Sequence, residues 1–244
     1  MKSILILGST SDIGHALAKQ YLTNGYQVML AARNQDALNQ QKSLLQSDDS
    51  QSNIQTIIFH GCAFNSHQGF YDSLNPKPDG VITVMGYLGE QKVSELSFKE
   101  TQTVIDSNYT GNVSILNIIA TDFEKRGHGF IVGVSSVAAD RGRKSNYIYG
   151  SAKAGFTAYL SGLRNRLYHS NVQVLTVHPG FVDTKMTQHL TLPRRLTATP
   201  EQVATAIISA QHNKKNILYV KWIWKYIMLI IRNIPEVIFK RFEL

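Results

Sequence analysis

A single cysteine, Cys62, excludes any disulfide within the chain, and a reducing, cytoplasmic setting is the expectation that follows. No apolar run approaches the roughly 20 residues that a membrane-spanning helix needs. Even in the most apolar stretch, 217–244, the longest charge-free run is YIMLII, 226–231. The opening MKSILILGST carries one lysine and a short apolar run that stops at a turn signal, which predicts no secretory leader. Acidic residues are the scarcer charged class, 17 against 25 basic, for a net charge of +8. Such a balance suits nucleic acid, an anionic membrane or phosphorylated ligands. Without a dense Lys/Arg tract interleaved with aromatics, a zinc finger or an RNA-binding motif, nucleic acid is the least favoured of the three. None of the eight histidines stands at ligand spacing and no carboxylates cluster, so the site is expected to be metal-free. Internal repeats, low-complexity tracts and long linkers are absent as well.

What is present is an alternation. Short β-branched runs, SILIL (3–7), QVMLA (27–31), IQTIIF (54–59), GVITVM (80–85), GFIVGVSS (129–136) and VQVLTV (172–177), have strand length. Between them 13–23, 34–46, 101–125 and 148–169 read as helices, and another starts at Pro200 with Thr199 as its N-cap. Alternating order of this kind predicts an α/β fold: a Rossmann-type, doubly wound parallel sheet with right-handed crossovers and helices on both faces. The 244 residues, 43% of them hydrophobic, suffice for one such core. The least regular stretch, 184–199, is a candidate mobile segment over a site.

Two places carry chemistry. The first strand runs into LGSTSDIGHALAKQ, where Gly8 ends the strand and Gly14 lies at the start of the following helix. Backbone N–H groups at such a turn and helix N-terminus suit a pyrophosphate, although the same glycines suit an ordinary tight βα turn. After the second strand, Ala32 and Arg33 stand where a carboxylate would read the ribose of NAD. A guanidinium there favours the 2′-phosphate of NADP(H), unless Arg33 is merely a solvated neighbour of a helix cap. The second place is NYIYGSAKAG, 146–155. At 3.6 residues per turn Tyr149 stacks over Lys153 and Tyr147 does not. An ammonium beside a phenol is expected to lower its pKa.

Together these pieces resemble the short-chain dehydrogenase/reductase family over roughly residues 1–212. The matching elements are GSTSDIG (Gly8, Ser9, Thr10, Ser11, Asp12, Ile13, Gly14), Asn108 in DSNYTGN, VSS (134–136), YGSAK (149–153) and HPGFVDT (178–184). Ser136 falls 13 residues before Tyr149, as the family's catalytic serine does. The resemblance implies hydride transfer from a nicotinamide cofactor, with Tyr149 giving a proton to a carbonyl oxygen. Lys153 would hold the nicotinamide ribose, Ser136 would bond the substrate oxygen, and Asn108 would anchor a proton-relay water. Gly86, Pro179, Gly180, Val182 and Thr184 would complete the cofactor site. Singly, Ser135 and Ser136 could just finish a strand and Asn108 could cap or kink its helix. Tyr147 is expected to border the cleft or pack at the helix start, and His178 to pack at its strand end. Three departures stand out. Asp12 replaces the family's middle glycine and is expected to cap the helix. VMGYLG (84–89) keeps only Gly86 of an asparagine-rich stretch, and Ala63 replaces an acid that reads adenine.

The tail, 217–244, reads as a unit apart from the domain 1–216. Placed on one helix, Lys221, Lys225 and Arg232 form a narrow basic stripe, with Trp222, Trp224, Ile227, Ile230 and Ile231 around the rest. Such a helix suits a membrane interface, and equally packing on the core or on a second subunit, as homo-oligomers of this family use. Combined with LGSTSDIG, the tail is similar to that of reductases of decaprenylphosphoryl-linked 2-keto-pentose. This implies a lipid-linked keto-sugar met at the cytoplasmic face of a membrane, its phosphate near Arg141, Arg143, Lys144, Arg194 or Arg195, unless these are solvated loop charges. The rival readings are a soluble reductase of a small, acyl or steroid-like ketone, and a non-catalytic NADPH-binding sensor or scaffold.

Overall fold

The alternation of runs is realised as a parallel sheet. A computed structural model describes residues 2–48, 53–188 and 191–243 of the chain. His189 and Leu190 of the irregular segment thus lie outside the described residues. The first half contains β1 (Ser3–Leu7), α1 (Asp12–Thr23), β2 (Gln27–Ala32), α2 (Gln35–Asp48), β3 (Ile54–Ile58), α3 (His67–Ser73), β4 (Gly80–Thr83), α4 (Gln91–Leu96) and α5 (Phe98–Ile105). There follow α6 (Gly111–Arg126), β5 (Gly129–Val134), α7 (Tyr147–Leu167), β6 (Val172–Pro179), β7 (Phe181–Val182) and β8 (Thr197–Ala198). The chain closes with α8 (Pro200–His212), β9 (Ile217–Val220), α9 (Ile223–Asn233) and α10 (Glu236–Phe239).

Seven parallel strands lie in the order β3-β2-β1-β4-β5-β6-β9. Every residue of β1 is buried, as a strand covered on both faces requires. Its side chains alternate: Ile4 and Ile6 face the helices α1, α2 and α8, whereas Leu5 and Leu7 face α3, α6 and α7. Each such aliphatic chain removed from water contributes about 1.5–3 kcal/mol, and it is this two-sided burial that holds the layers in register. Strand order reverses between β1 and β4, so a crevice opens at their carboxyl ends, where open α/β sheets bind ligands.

Three expectations are corrected. The helix expected over 101–125 begins at Phe98, capped by Ser97, and is interrupted by a π-helical turn at Asp106–Thr110. Such turns accommodate an extra residue in the helix, and this one carries Asn108. Strand β5 stops at Val134; Ser135 N still donates to Val177 O of β6 at 2.8 Å, and Ser136 leaves the sheet. The division expected at 216/217 falls beside a strand: Ile217–Val220 pairs with β6 and belongs to the sheet. The tail helix therefore starts at Ile223, and Trp224 and Met228 pack it onto Val137, with Phe181 and Leu196 against the same cluster. Trp222, Tyr226, Leu229 and Ile230 are left facing outward.

Helix α8 starts as the sequence indicates. Thr199 Oγ1 accepts from Gln202 N while the Gln202 side chain accepts from Thr199 N, a reciprocal cap ahead of Pro200. Thr199→Ala should cost about 1 kcal/mol in urea unfolding with an unchanged m-value. A loss below about 0.3 kcal/mol would show that packing of Val203 and Ile207 alone holds the helix start.

Candidate active site

The first rim of the crevice is the turn between β1 and α1. Gly8 ends β1 with φ +82°, a conformation open to glycine, and its N–H donates to Ala31 O at 2.9 Å. At Gly14 an added Cβ would lie 2.5 Å from Ser9 O and 2.8 Å from Gly8 O, so no larger residue fits. The cap of α1 is Ser11, whose Oγ accepts from Gly14 N at 3.1 Å. Asp12, expected in that role, instead turns its carboxylate outward, and Oδ2 accepts the Lys185 N–H at 2.8 Å. The serine one residue earlier has the extended backbone a cap needs, and this leaves the acid free for the segment across the crevice. Ser9 Oγ is buried without a hydrogen-bond partner, while Gln41 Nε2 holds the Ser9 carbonyl at 2.8 Å. Thr10 is exposed and Ile13 half-buried at the same turn. Beyond buried Ala32, Arg33 is exposed and has no ion-pair partner among the described residues. The cap of α2 is the next residue, Asn34, which accepts from Ala37 N.

Opposite lies the start of α7. Lys153 Nζ sits 5.8 Å from the Tyr149 ring centroid and donates to Val134 O at 3.0 Å, one turn along the helix. The lysine is 3% exposed. Burial drives its pKa down to about 7, because a charge removed from water loses hydration that one carbonyl does not replace. Tyr149 is pushed up to about 12 by burial, and a hydrogen bond from the Ser136 side chain opposes that shift. The shift runs opposite to the lowering expected from Lys153: desolvation is its largest cause, and desolvation depresses the amine as well. Ser136 Oγ also accepts from Ala138 N at 3.1 Å, and its carbonyl lies 3.1 Å from His178 Nδ1. Ser135 is different. Its hydroxyl reaches Lys153 O and Thr157 Oγ1, inside the protein. Tyr147 is exposed, with its hydroxyl donating to Glu95.

The π-helical turn aims Asn108 inward. Its Nδ2 donates to Tyr87 O at 2.6 Å and Val104 O at 2.8 Å, and Oδ1 accepts from Tyr87 N at 3.3 Å. A Cβ placed on Gly86 would lie 2.7 Å from Asn108 Oδ1 and 3.2 Å from Lys153 Nζ, so these three positions meet at one point. Past Pro179, at the end of β6, a Cβ on Gly180 would overlap the Trp224 indole. Val182 is buried, and Thr184 is tied to Thr187 by hydroxyl and N–H contacts. The segment 184–199 is pinned at both ends, since β7 and β8 pair and Asp183 N donates to Ala198 O at 2.9 Å.

Of the basic residues expected near a substrate phosphate, three are engaged elsewhere. Arg141 donates to Ile231 O and Ile234 O, pairs with Glu236 and lies 3.6 Å over the Phe239 ring. Arg143 reaches Val137 O and Met228 Sδ, and Lys144 pairs with Glu243. Arg194 and Arg195 remain exposed. Sequence reading missed the group beneath Ser136: His178 stacks on Tyr219 at 4.8 Å, and the Tyr219 hydroxyl donates to Asp140. Its partners are 79 residues apart, and the one sequence signal is an aromatic in a late strand. Among the described residues no cluster of three His, Cys, Asp or Glu side chains is set to hold a metal ion.

The pattern of the family described as short chain dehydrogenase matches residues 2–195. An uncharacterized oxidoreductase of Mycobacterium tuberculosis is 34% identical over 241 residues, covering 98% of this chain and 96% of that one. An uncharacterized oxidoreductase of Streptomyces coelicolor, from the mprA 5′ region, is 34% identical over 249 residues and covers 98% and 95%. A short-chain dehydrogenase from Sphingobium yanoikuyae in complex with NADPH superposes with a TM-score of 0.82 at 17% identity, over 97% of both chains.

Because the folded state favours neutral Lys153, the unfolded chain binds more protons between pH 7 and 10.5, and stability contributed at this site rises with pH across that window. Tyr149 acts in the opposite sense, and only above pH 10. Urea unfolding of the wild type and Lys153→Met from pH 7 to 10 should therefore converge as the pH rises, with the variant the more stable at pH 7. Parallel curves would show that the amine keeps its proton when buried.

Proposed function

The chain belongs to the short-chain dehydrogenase family, and from that premise we propose that this oxidoreductase reduces a ketone with NADPH, using Tyr149 as the proton donor. One observation carries the reading. A phenol bonded to Ser136 and a buried lysine one turn along the same helix stand at the carboxyl end of the central strands. With its pKa near 12, Tyr149 holds its proton throughout the neutral range, as a donor must. Ser136 bonds the same substrate oxygen and fixes its distance from the phenol. When bound, the reduced nicotinamide supplies the hydride.

The residues fit that group. At the turn the orphaned Ser9 hydroxyl is a polar atom awaiting a partner, and Gly8 and Gly14 let the loop close tightly on its own carbonyls and on Met85. Gly86, Pro179, Gly180, Val182 and Thr184 border the remainder of the crevice. Lys153, close to half-protonated at neutral pH, would gain its charge by bonding ribose hydroxyls and so polarise the phenol. Asn108 holds the Tyr87 backbone and leaves Oδ1 beside the amine, the place from which it would orient a water. Arg33, exposed and without an ion-pair partner among the described residues, favours a 2′-phosphate, in keeping with the NADPH complex of the similarly folded Sphingobium protein.

For the substrate, the reading that the surface supports best is a ketone on a lipid-linked sugar phosphate. Arg194 and Arg195 are exposed, Lys221 Nζ donates to Arg195 O at 3.2 Å, and the tail helix beside them turns apolar residues outward. A soluble ketone is the alternative, and the occupied Arg141, Arg143 and Lys144 favour it by withdrawing three cations from phosphate recognition. A mere sensor of NADPH would have no need of the buried amine, whose desolvation is costly.

Tyr149→Phe should lower kcat for ketone reduction by roughly 10²–10⁴, while Tyr147→Phe retains most activity. Equal losses would overturn the assignment. Arg33→Ala should weaken NADPH binding roughly tenfold or more and leave NADH within about twofold, as loss of a charge-assisted contact requires. Isothermal titration of both cofactors reads the difference.

A further inference from the structure

The tail helix divides its surface in two. Trp224 and Met228, with Ile227 and Ile231 beside them, seat α9 on Val137. The opposite sector carries Trp222, 74% exposed, with Tyr226, Leu229 and Ile230 at 54%, 58% and 66%. Beyond Pro235, Val237, Ile238 and Phe242 are exposed as well. This is more contiguous apolar surface than scattered exposed residues produce. The charges around it are sorted. Both carboxylates of the tail's described part are exposed and paired, Glu236 with Arg141 and Glu243 with Lys144. Lys225, Lys240 and Arg241 are exposed and make no ion pair among the described residues, and the Lys221 ammonium meets only a backbone carbonyl. No described helix is long and apolar enough to cross a membrane.

We propose that this face docks the protein on an anionic lipid bilayer, with Trp222, Tyr226, Leu229 and Ile230 in the interface and Lys221, Lys225, Lys240 and Arg241 meeting lipid phosphates. An apolar sector carrying tryptophan beside unpaired cations is what an interfacial helix requires, because neither term alone holds a short helix in place. A second copy of this chain is a poorer occupant, since it would bring the same uncompensated positive charges against one another. The helix is also fastened to the loops that follow β5 and β6. Arg141 ties its last turn to the loop after Ser136, and the Trp224 indole fills the space at Gly180 while donating to Leu196 O at 3.0 Å. Docking would bring the entrance near the headgroup layer. The proposal rests on the lipid-linked substrate reading for its purpose, though not for the binding itself.

The full-length protein is sedimented with vesicles of phosphatidylcholine alone and with added phosphatidylglycerol, at low and high salt. Binding should need phosphatidylglycerol, fall at least tenfold at high salt, and fall at least tenfold in Leu229→Ser/Ile230→Ser and in Lys225→Glu/Lys240→Glu. Reduction of a water-soluble ketone by both variants should match the wild type, which shows that they fold. Failure of an active protein to bind, or binding indifferent to both variants, overturns the proposal. So does a dimer in sedimentation velocity that Leu229→Ser/Ile230→Ser converts to a monomer that still binds vesicles, for then the face is a subunit interface. Absence of ketone reduction by the wild type would count against the reductase reading alone.

Discussion

An amine held out of water at the tips of a parallel sheet is the constraint on which the site depends. Lys153 can lie where it does because Val134 offers a carbonyl at 3.0 Å as β5 ends, and because Gly86 leaves room above it. Both concessions are made by backbone, not by a counter-ion, so the charge is only partly compensated and its pKa falls to about 7. Everything else in the crevice answers to that placement. Helix α7 must start where its second turn meets β5, the strand must stop at Val134, and the next residues must bend away with Ser136 toward Tyr149.

Much of this was legible in the chain. Strand-length apolar runs gave the sheet, and the offset of four residues placed Tyr149, not Tyr147, beside Lys153. What escaped depended on depth or on distant partners. Spacing puts Lys153 beside Tyr149 but says nothing about how dry both are, and dryness decided the direction of both pKa shifts. Ile217–Val220 escaped because an apolar strand running into an apolar helix offers no change of pattern at the join. Arg141 and Lys144 look free in a loop. Their partners, Glu236 and Glu243, lie about a hundred residues later. The π-helical turn that aims Asn108 has no signature in side-chain periodicity.

The tail is accordingly packed onto the loop that carries Ser136 and is not an appendage. Arg141 joins three successive stretches of it to the loop that carries Ser136: the end of α9, the turn before Pro235 and the start of α10. Below that loop, His178, Tyr219 and Asp140 hold the Ser136 carbonyl from the other side, through β6 and the late strand β9. The serine is thus fixed by elements that the chain supplies long after it.

The contact between Asp12 and Lys185 joins residues 173 positions apart, yet its two ends are chemically unequal. One end is a carboxylate and the other a peptide N–H, which any residue but proline provides. Mutational drift at 185 therefore leaves the clasp intact, whereas at 12 almost any replacement opens it. A bond spanning most of the polypeptide is in this way inherited through a single codon.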